Sequence, residues 1–216
     1  MEITQINVYN FEQAIAASRL PMISEYSDKG FDYIAEAVGR FRHYSRSEDT
    51  KHMQLWDDGK QYFERAAQLA QNPPGTGHNN FLKGIRVVAN VTATVKWWVQ
   101  AGRYNFIDHV SSMSTMHCLK KMLTRGETHF HPSTHQSVID AFKKLDPQYL
   151  TVEQLAYSCP MGLLLTEQIS TNYLQLKTVY QQRKNHVLTE WRAFCLFIET
   201  LPHAVAFIIN QDNEEK

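Results

Sequence analysis

Thr76-Gly77-His78-Asn79-Asn80-Phe81-Leu82 begins the segment that decides the fold. The segment ends with Trp97-Trp98-Val99-Gln100-Ala101-Gly102-Arg103. Between them, residues 80–100 place apolar side chains at intervals of three and four, which is typical of a buried helix. The segment is also rich in β-branched residues, which are less favourable in helices than in strands. We give the periodicity more weight, so the sequence predicts a long central helix that ends at Gly102.

The serine-rich stretch Ser111-Ser112-Met113-Ser114 begins a second segment with helical character, residues 111–123. Backbone N–H groups at the start of a helix, together with serine hydroxyls, favour the binding of a phosphate group. Ordinary capping of the helix by Ser111 or Ser112 explains the same residues. Both interpretations stay open at this point.

The rest of the sequence alternates between strand, helix and turn patterns, and we expect one domain spanning residues 1–216. The Pro- and Gly-rich segment at 72–77 is the strongest break, but no stretch of linker composition surrounds it. The patterns predict a strand at 3–9, helices at 11–19, 31–42, 62–70, 137–144, 161–183 and 187–201, an irregular segment at 45–58, and a frayed tail at 211–216.

These residues resemble the flavin-dependent thymidylate synthase family. That family has a histidine just before a helix that ends in Arg-His-Arg-x-x-Ser, with Ser-x-Arg following. His78 is similar to the upstream histidine, Arg103 to the last arginine of the motif, and Ser111 to the later serine. Gln100 is similar to the glutamine that precedes the motif, and Ala17-Ser18-Arg19 resembles the end of the family's opening βα unit. The resemblance covers about half of the chain, mainly 1–20 and 76–120.

Several positions depart from the motif, and most of them lose a cation. Ala101, Gly102, Phe106 and Met113 stand where the family has arginine, histidine, serine and arginine. A further family arginine, before a Leu-Pro pair, falls near Ile198, and the family's following helix has no counterpart by this comparison. Arginine supplies a planar, bidentate donor set for phosphate. Each charge-assisted hydrogen bond that is lost costs about 1.5–3 kcal/mol.

The resemblance implies an α+β fold in which long helices flank a small antiparallel or mixed sheet. It also implies FAD as cofactor, a dUMP-like pyrimidine deoxynucleotide as ligand, and a homo-oligomer, a tetramer in that family. FAD contacts are expected from His78, Gln100 and Arg103, and nucleotide contacts from Arg103, Ser111 and Ser112. No catalytic residue is assigned, because the family uses no covalent enzyme nucleophile.

Two functions remain open. The first is an active enzyme of the synthase type, a methyltransferase and oxidoreductase of nucleotide biosynthesis. The second is a non-catalytic relative that binds a nucleotide or serves as a scaffold. Arg103 itself also has a simpler explanation, since a cation at a helix C-terminus interacts favourably with the helix dipole. Trp97 and Trp98 point about 100° apart on a helix, so at least one of them is expected in a core or an interface rather than against a flavin.

His129, His131 and His135 form a histidine-rich loop that matches no established zinc pattern, so we predict no metal site there. Asp108-His109 is a possible acid/base pair. It lies near no serine or cysteine with the sequence of a nucleophile elbow, so a hydrolase triad is not supported.

The composition narrows the partners and the compartment. The chain has 22 basic and 22 acidic residues and a formal net charge of zero, so no global field attracts nucleic acid or an anionic membrane. Because copies of an uncharged chain repel one another only weakly, self-association is permitted. Cys118, Cys159 and Cys195 form no paired motif, and the sequence shows neither a signal peptide nor an apolar run long enough to span a bilayer. We therefore expect a soluble, cytoplasmic protein.

Overall fold

The computed structural model describes residues 1–46 and 50–209, with the side chains of residues 50 and 51 left aside, and it has an α+β fold. A four-stranded sheet has the order β1-β2-β4-β3, and β3 runs antiparallel to β4. The strands are β1 (Glu2–Tyr9), β2 (Arg86–Thr94), β3 (Asp108–Ser112) and β4 (Leu164–Asn172). The helices are α1 (Phe11–Ala17), α2 (Asp28–His43), α3 (Thr50–Ala70), α4 (Val95–Ala101), α5 (Thr115–Arg125), α6 (Gln136–Lys143), α7 (Val152–Tyr157), α8 (Tyr173–Arg183), α9 (Thr189–Glu199) and α10 (Ala204–Phe207), with 3₁₀ turns at Leu20–Met22 and Asn80–Gly84.

The chain forms two compact units, each described here by itself. Unit 1 comprises residues 1–6 and 88–170, and unit 2 comprises residues 7–87 and 171–216. The expectation of a single domain over residues 1–216 therefore stays a prediction. Among the described residues, no helix combines the length and the hydropathy that crossing a lipid bilayer requires.

Unit 2 has an aromatic core centred on Phe11 at the start of α1. Its ring lies 5.3 Å from that of Phe207 and 5.9 Å from that of Tyr173, both edge-on, the arrangement that aromatic quadrupoles favour. Helices α2 and α3 pack closely because Gly59 of α3 has no side chain. A Cβ at that position would collide with the backbone carbonyl of Ala37 on α2.

Unit 1 is built around the short helix α4. Thr94 caps it, its hydroxyl accepting a hydrogen bond from the backbone N–H of Trp97 at 3.0 Å. Trp97 and Trp98 are both buried, with ring centroids 4.8 Å apart in an edge-to-face arrangement. Packing in the core is therefore the role of both tryptophans, and neither presents an open face to a flavin.

The prediction of one helix over residues 80–100 is wrong. Residues 86–94 form strand β2, and Val87, Ala89, Val91 and Ala93 are buried in strict alternation. The β-branched content was the better signal, because it favours the pleated, half-buried surface of a sheet. For the same reason the predicted helix at 161–183 divides into strand β4 and helix α8.

Other predicted elements have mixed outcomes. The strand at 3–9 and the helices at 11–19, 31–42, 137–144 and 187–201 are confirmed with small shifts of their ends. The helix predicted at 62–70 is the C-terminal part of α3, which begins at Thr50. The irregular segment predicted at 45–58 is wrong from residue 50 onward, since α3 begins there. The predicted tail at 211–216 lies outside the described residues.

Candidate functional site

The turn that follows α4 places Arg103 at the surface of unit 1. Trp98 fixes the helix, because its indole N–H donates to the carbonyl of Leu165 at 3.1 Å. The helix closes with hydrogen bonds from the N–H of Gly102 to the carbonyl of Trp98 at 2.9 Å and from the N–H of Arg103 to that of Gln100 at 3.3 Å. Gln100 and Arg103 thus belong to one turn, with Gln100 half-buried and Arg103 exposed.

Ser111 and Ser112 lie on strand β3, not at the start of a helix, since α5 begins at Thr115. Ser111 pairs with Gln168 of β4 and Ser112 pairs with Glu167, after a register shift between His109 and Ser111. Consecutive strand residues point to opposite faces of a sheet. The two hydroxyls therefore point to opposite faces of the sheet, and the prediction that they lie at a helix start is wrong. Their contact with a phosphate stays a prediction.

His109 stands beside the Arg103 turn and is held by Glu167. Its Nδ1 lies 2.6 Å from Oε2 of Glu167, and its ring centroid lies 5.6 Å from that of Trp98. A Cβ added at Gly102 would stand 3.9 Å from Nε2 of His109. The carboxylate accepts the Nδ1–H, which orients the imidazole so that Nε2 faces the turn.

The carboxylate in contact with His109 is that of Glu167, which the sequence analysis did not name. The acid/base pair Asp108-His109 stays a prediction. Sequence reasoning missed Glu167 because its strand had been taken as helix. The signal that identifies it is a half-buried carboxylate on the strand that pairs with β3.

His78 belongs to unit 2, so its placement is described apart from the residues of unit 1. It is exposed, in the loop between α3 and the 3₁₀ turn at Asn80–Gly84. The next residue, Asn79, is fully buried, and its Nδ2 donates to the carbonyl of Asn72 at 2.7 Å and to that of Pro73 at 3.3 Å. This buried amide ties the loop together and holds the backbone on which His78 stands.

The histidine-rich loop makes local contacts. The backbone N–H of Ser133 donates to Nδ1 of His131 at 3.2 Å, and Nδ1 of His135 accepts from the N–H of Ser137 at the start of α6 at 3.3 Å. His129 is exposed. Among the described residues, no three His, Cys, Asp or Glu side chains are grouped in a way that would hold a metal ion.

Neither a family model nor a curated protein sequence matches the chain. Solved structures do. The flavin-dependent thymidylate synthase ThyX from Helicobacter pylori, complexed with FAD and dUMP, superposes with a TM-score of 0.68 at 15% identity, over 96% of this chain and 98% of that one. A second structure of Helicobacter pylori ThyX with FAD and dUMP gives a TM-score of 0.65 at 14% identity, over 96% and 97% of the two chains.

The chain has the fold of a flavin-dependent thymidylate synthase. The predicted α+β fold of this type is confirmed. The likeness is broader than the sequence suggested, since it extends over 96% of the chain rather than about half of it. It also spans nearly all of the compared synthase, so the expectation that a terminal helix of the family has no counterpart here is not supported by this neighbour.

Within this synthase fold, the positions that depart from the family motif contribute no charge. Ala101 is fully buried, so it packs in the core of unit 1. Phe106 is 60% exposed and Met113 is 37% exposed, so apolar surface replaces the motif's polar groups there. Arg103, which the sequence analysis compared with the last arginine of the motif, makes no ion pair within the part of the chain that the structure describes.

A second charged cluster, in unit 2, was not predicted at all. Arg42 of α2 donates to Oε1 of Glu12 and, through Nε, to Nε2 of His203 at 3.3 Å. Its guanidinium carbon lies 3.8 Å from the ring centroid of Phe11. Burial, and then the positive charge of Arg42, lower the pKa of His203. No sequence signal joins these residues, because they come from three distant segments.

Proposed function

We propose that this protein binds FAD and a dUMP-like pyrimidine deoxynucleotide, with the Arg103 turn of unit 1 as the anchor of the ligand site. The neighbours that share the fold over their full length are complexed with these two molecules. The observation that carries the proposal is the arrangement at the end of α4, where Gln100 and Arg103 share one turn and His109 stands beside it.

Arg103 is the phosphate-binding group in this proposal. Its side chain is exposed, and among the described residues no carboxylate neutralises it. A guanidinium in that condition offers a planar set of donors that suits a phosphate in bidentate geometry. Gln100 offers an amide in the same turn, which suits a hydrogen bond to a flavin or a base edge.

His109 supplies the imidazole that position 102 no longer carries. The resembled motif has histidine at the position of Gly102, and here Nε2 of His109 lies close to where a side chain at Gly102 would begin. The contact of Nδ1 with Glu167 fixes the ring, so that Nε2 is the nitrogen left to face a ligand beside Arg103.

Ser111 and Ser112 are the further proposed contacts of unit 1, one of them with the nucleotide. For His78, which belongs to unit 2, a contact with FAD stays a prediction from the resemblance. Because the two serines face opposite sides of the sheet, only one of them serves a given ligand. FAD, when bound, supplies the redox chemistry, while the residues named here bind and orient the ligands.

A non-catalytic role is the second candidate, and one observation favours it. Ala101, Phe106 and Met113 bring no cation to the places where the synthase motif has polar or charged groups. Synthases of this type rely on electrostatic activation of the pyrimidine and on close positioning of the flavin. The second candidate therefore keeps ligand binding without turnover.

An absorbance spectrum of the purified protein, before and after addition of FAD, tests the proposal. We expect a bound-flavin spectrum that survives gel filtration, and heat on titration with dUMP in calorimetry. A colourless preparation that binds neither molecule would overturn the proposal. Growth of a strain that lacks thymidylate synthase, when supplied with this chain, decides between the two candidates, because only the active enzyme restores it.

We further propose a homo-oligomer in the cytoplasm, with a second copy covering the apolar surface that borders the Arg103 turn. Val99 and Phe106 flank that turn in the sequence and are each more than half exposed, as are Val110 and Met116 further along unit 1. The chain also carries no net charge to keep copies apart. The three free cysteines suit a reducing compartment. Light scattering coupled to gel filtration should give a mass that is a multiple of the chain, the tetramer being expected by resemblance.

A further inference from the structure

A polar cleft of about 330 Å³ lies on the surface of unit 2, beside helix α3. Its size falls within the range of small-molecule sites. Every residue that lines it has a polar or charged side chain, and five of the six carry N–H or O–H donors. The lining residues are Arg19, Gln61, Tyr62, Glu64, Arg65 and Gln68.

Helix α3 supplies three of the donors from one face. Gln61, Arg65 and Gln68 are spaced four and three residues apart, so their side chains lie along the same side of the helix. All three are exposed. This spacing directs one guanidinium and two primary amides into the cleft.

Arg19 closes the other side of the cleft from the segment that follows α1. Its guanidinium carbon lies 5.6 Å from the ring centroid of Tyr62, within the range of a cation–π contact, and both side chains are half-buried. The contact restricts Arg19 without neutralising its charge. The donors of this guanidinium are therefore held in place before any ligand arrives.

The charges around the cleft leave an excess of positive potential. Within residues 1–46 and 50–209, neither Arg19 nor Arg65 forms an ion pair. Glu64, the acidic residue of the lining, lies 3.8 Å from Nζ of Lys60 on the same helix. In a chain without net charge, such a local excess is a feature of this surface rather than of the whole protein.

We propose that this cleft binds the phosphoryl group of a small molecule, as a site separate from the Arg103 turn. Two guanidiniums offer bidentate donors to phosphate oxygens, and the amides of Gln61 and Gln68 add neutral donors beside them. A phosphoryl group fits this donor set better than a carboxylate does, because it presents three oxygens to several converging donors.

Calorimetric titration with pyrophosphate tests the site in the full-length chain. We expect saturable binding that weakens as NaCl is raised. Arg65→Ala should raise the dissociation constant at least about tenfold, because one charge-assisted contact is lost. Lys29→Ala is the matched control, since it removes one exposed positive charge from unit 2 outside the cleft. It should leave the constant within about twofold, as expected for a distant screened charge.

A second measurement uses the unmutated protein, so it does not depend on how a variant folds. Phenylglyoxal modifies accessible arginines, and peptide mass mapping reports each site. Pyrophosphate should protect Arg19 and Arg65 while Arg125, an exposed arginine of unit 1, reacts as before. Absence of saturable binding, equal weakening by Arg65→Ala and Lys29→Ala, or equal protection of all three arginines would overturn the proposal.

The outcome is separable from that of the proposed function. Arg65→Ala should leave the binding of FAD and dUMP unchanged, whereas Arg103→Ala should leave the protection of Arg19 and Arg65 unchanged. If Arg103→Ala abolished that protection, the phosphoryl group would be bound at the Arg103 turn and not in the cleft.

Discussion

Arg42 in unit 2 and Arg103 in unit 1 carry the same side chain in opposite settings. Arg42 is 9% exposed, donates to Glu12 and His203, and lies against the face of Phe11. Arg103 is exposed at the end of a helix and, within the described part of the chain, makes no ion pair. Two donors of Arg42 are engaged by the fold, whereas those of Arg103 are available to a ligand.

The comparison teaches that the type of residue does not tell whether a cation stabilises the fold or binds a ligand. Its burial and the number of its donors that already form hydrogen bonds distinguish the two roles. A charge removed from water must be compensated inside the protein, and removing one partner of such a pair leaves the other uncompensated. An exposed charge costs little to keep, so it can be kept for a ligand.

Arg42→Ala is expected to have the largest effect on stability, and it tests the buried half of the comparison. The variant leaves Glu12 without its arginine and removes the cation from Phe11, so the free energy of unfolding should fall by about 3 kcal/mol. Urea denaturation followed by circular dichroism measures it. Arg46→Ala is the control, because it breaks an exposed pair with Asp57 and should change stability little. Equal losses of unfolding free energy in both variants would mean that the buried and the exposed arginine stabilise the fold to the same extent.

Arg103→Ala tests the exposed half. Affinity for FAD or dUMP should fall about tenfold or more, the effect of losing one charge-assisted hydrogen bond to a phosphate, while urea stability stays unchanged. Calorimetry gives both binding constants. Lys96→Ala removes an exposed cation from the start of the same helix and should bind like the parent protein. A loss of stability in place of a loss of affinity would move Arg103 into the same class as Arg42.

Lys177 extends the comparison to a buried lysine, whose contribution to the free energy of unfolding depends on pH. It is fully buried, and its ammonium donates to the carbonyl of Ala70 at the end of α3. Burial lowers its pKa from 10.5 to about 8, so the unfolded chain binds this proton more tightly than the folded one. Stability from this group should therefore rise as pH increases from about 8 towards 10.5.

The measurement is the pH dependence of the urea midpoint for the parent protein and for Lys177→Met. The parent protein should gain relative to the variant across that window, because only the parent has this proton to lose. Parallel curves would mean that the ammonium is solvated in the folded state.

His203 is expected to give the smallest effect, on the acid side. Its pKa is lowered, first by burial and then by the charge of Arg42, with His43 also unfavourable and Glu12 favourable. Stability from this group is present above the ordinary pKa of histidine and is lost as pH falls below it, since the unfolded chain takes up the proton first. His203 has a φ of 54°, which asparagine also tolerates. His203→Asn should therefore flatten the loss of stability between about pH 7 and 5.

If His203→Asn kept the parent's acid slope, the titrating group would lie elsewhere. An unchanged slope would mean that the ring of His203 is solvated in the folded state.

Sequence reasoning succeeded where the signals are local. The strand before α1 was found from its alternation, and α2 and α9 from their helical spacing. The predicted helix end at Gly102 is confirmed as well, since Gly102 is the C-cap of α4.

Sequence reasoning failed at strands β2 and β4, and the failure passed on to the site. An apolar, β-branched segment fits a buried helix and a central strand about equally by periodicity alone. Once β4 was taken as helix, Glu167 could not be seen as the partner of His109. Ser111 and Ser112 were likewise assigned to a helix start, because the pairing with β4 that places them on a strand is not a local property.

The sequence by itself determined most helices and the first strand, because these follow from spacings of a few residues, which the chain carries wherever it folds. Its resemblance to the synthase family supplied the α+β class. Only the tertiary structure decided that residues 86–94 are a strand, that Glu167 orients His109, and that Glu12, Arg42 and His203 form one cluster. These depend on which distant segments become neighbours, and that is set by burial of the whole core rather than by any local preference.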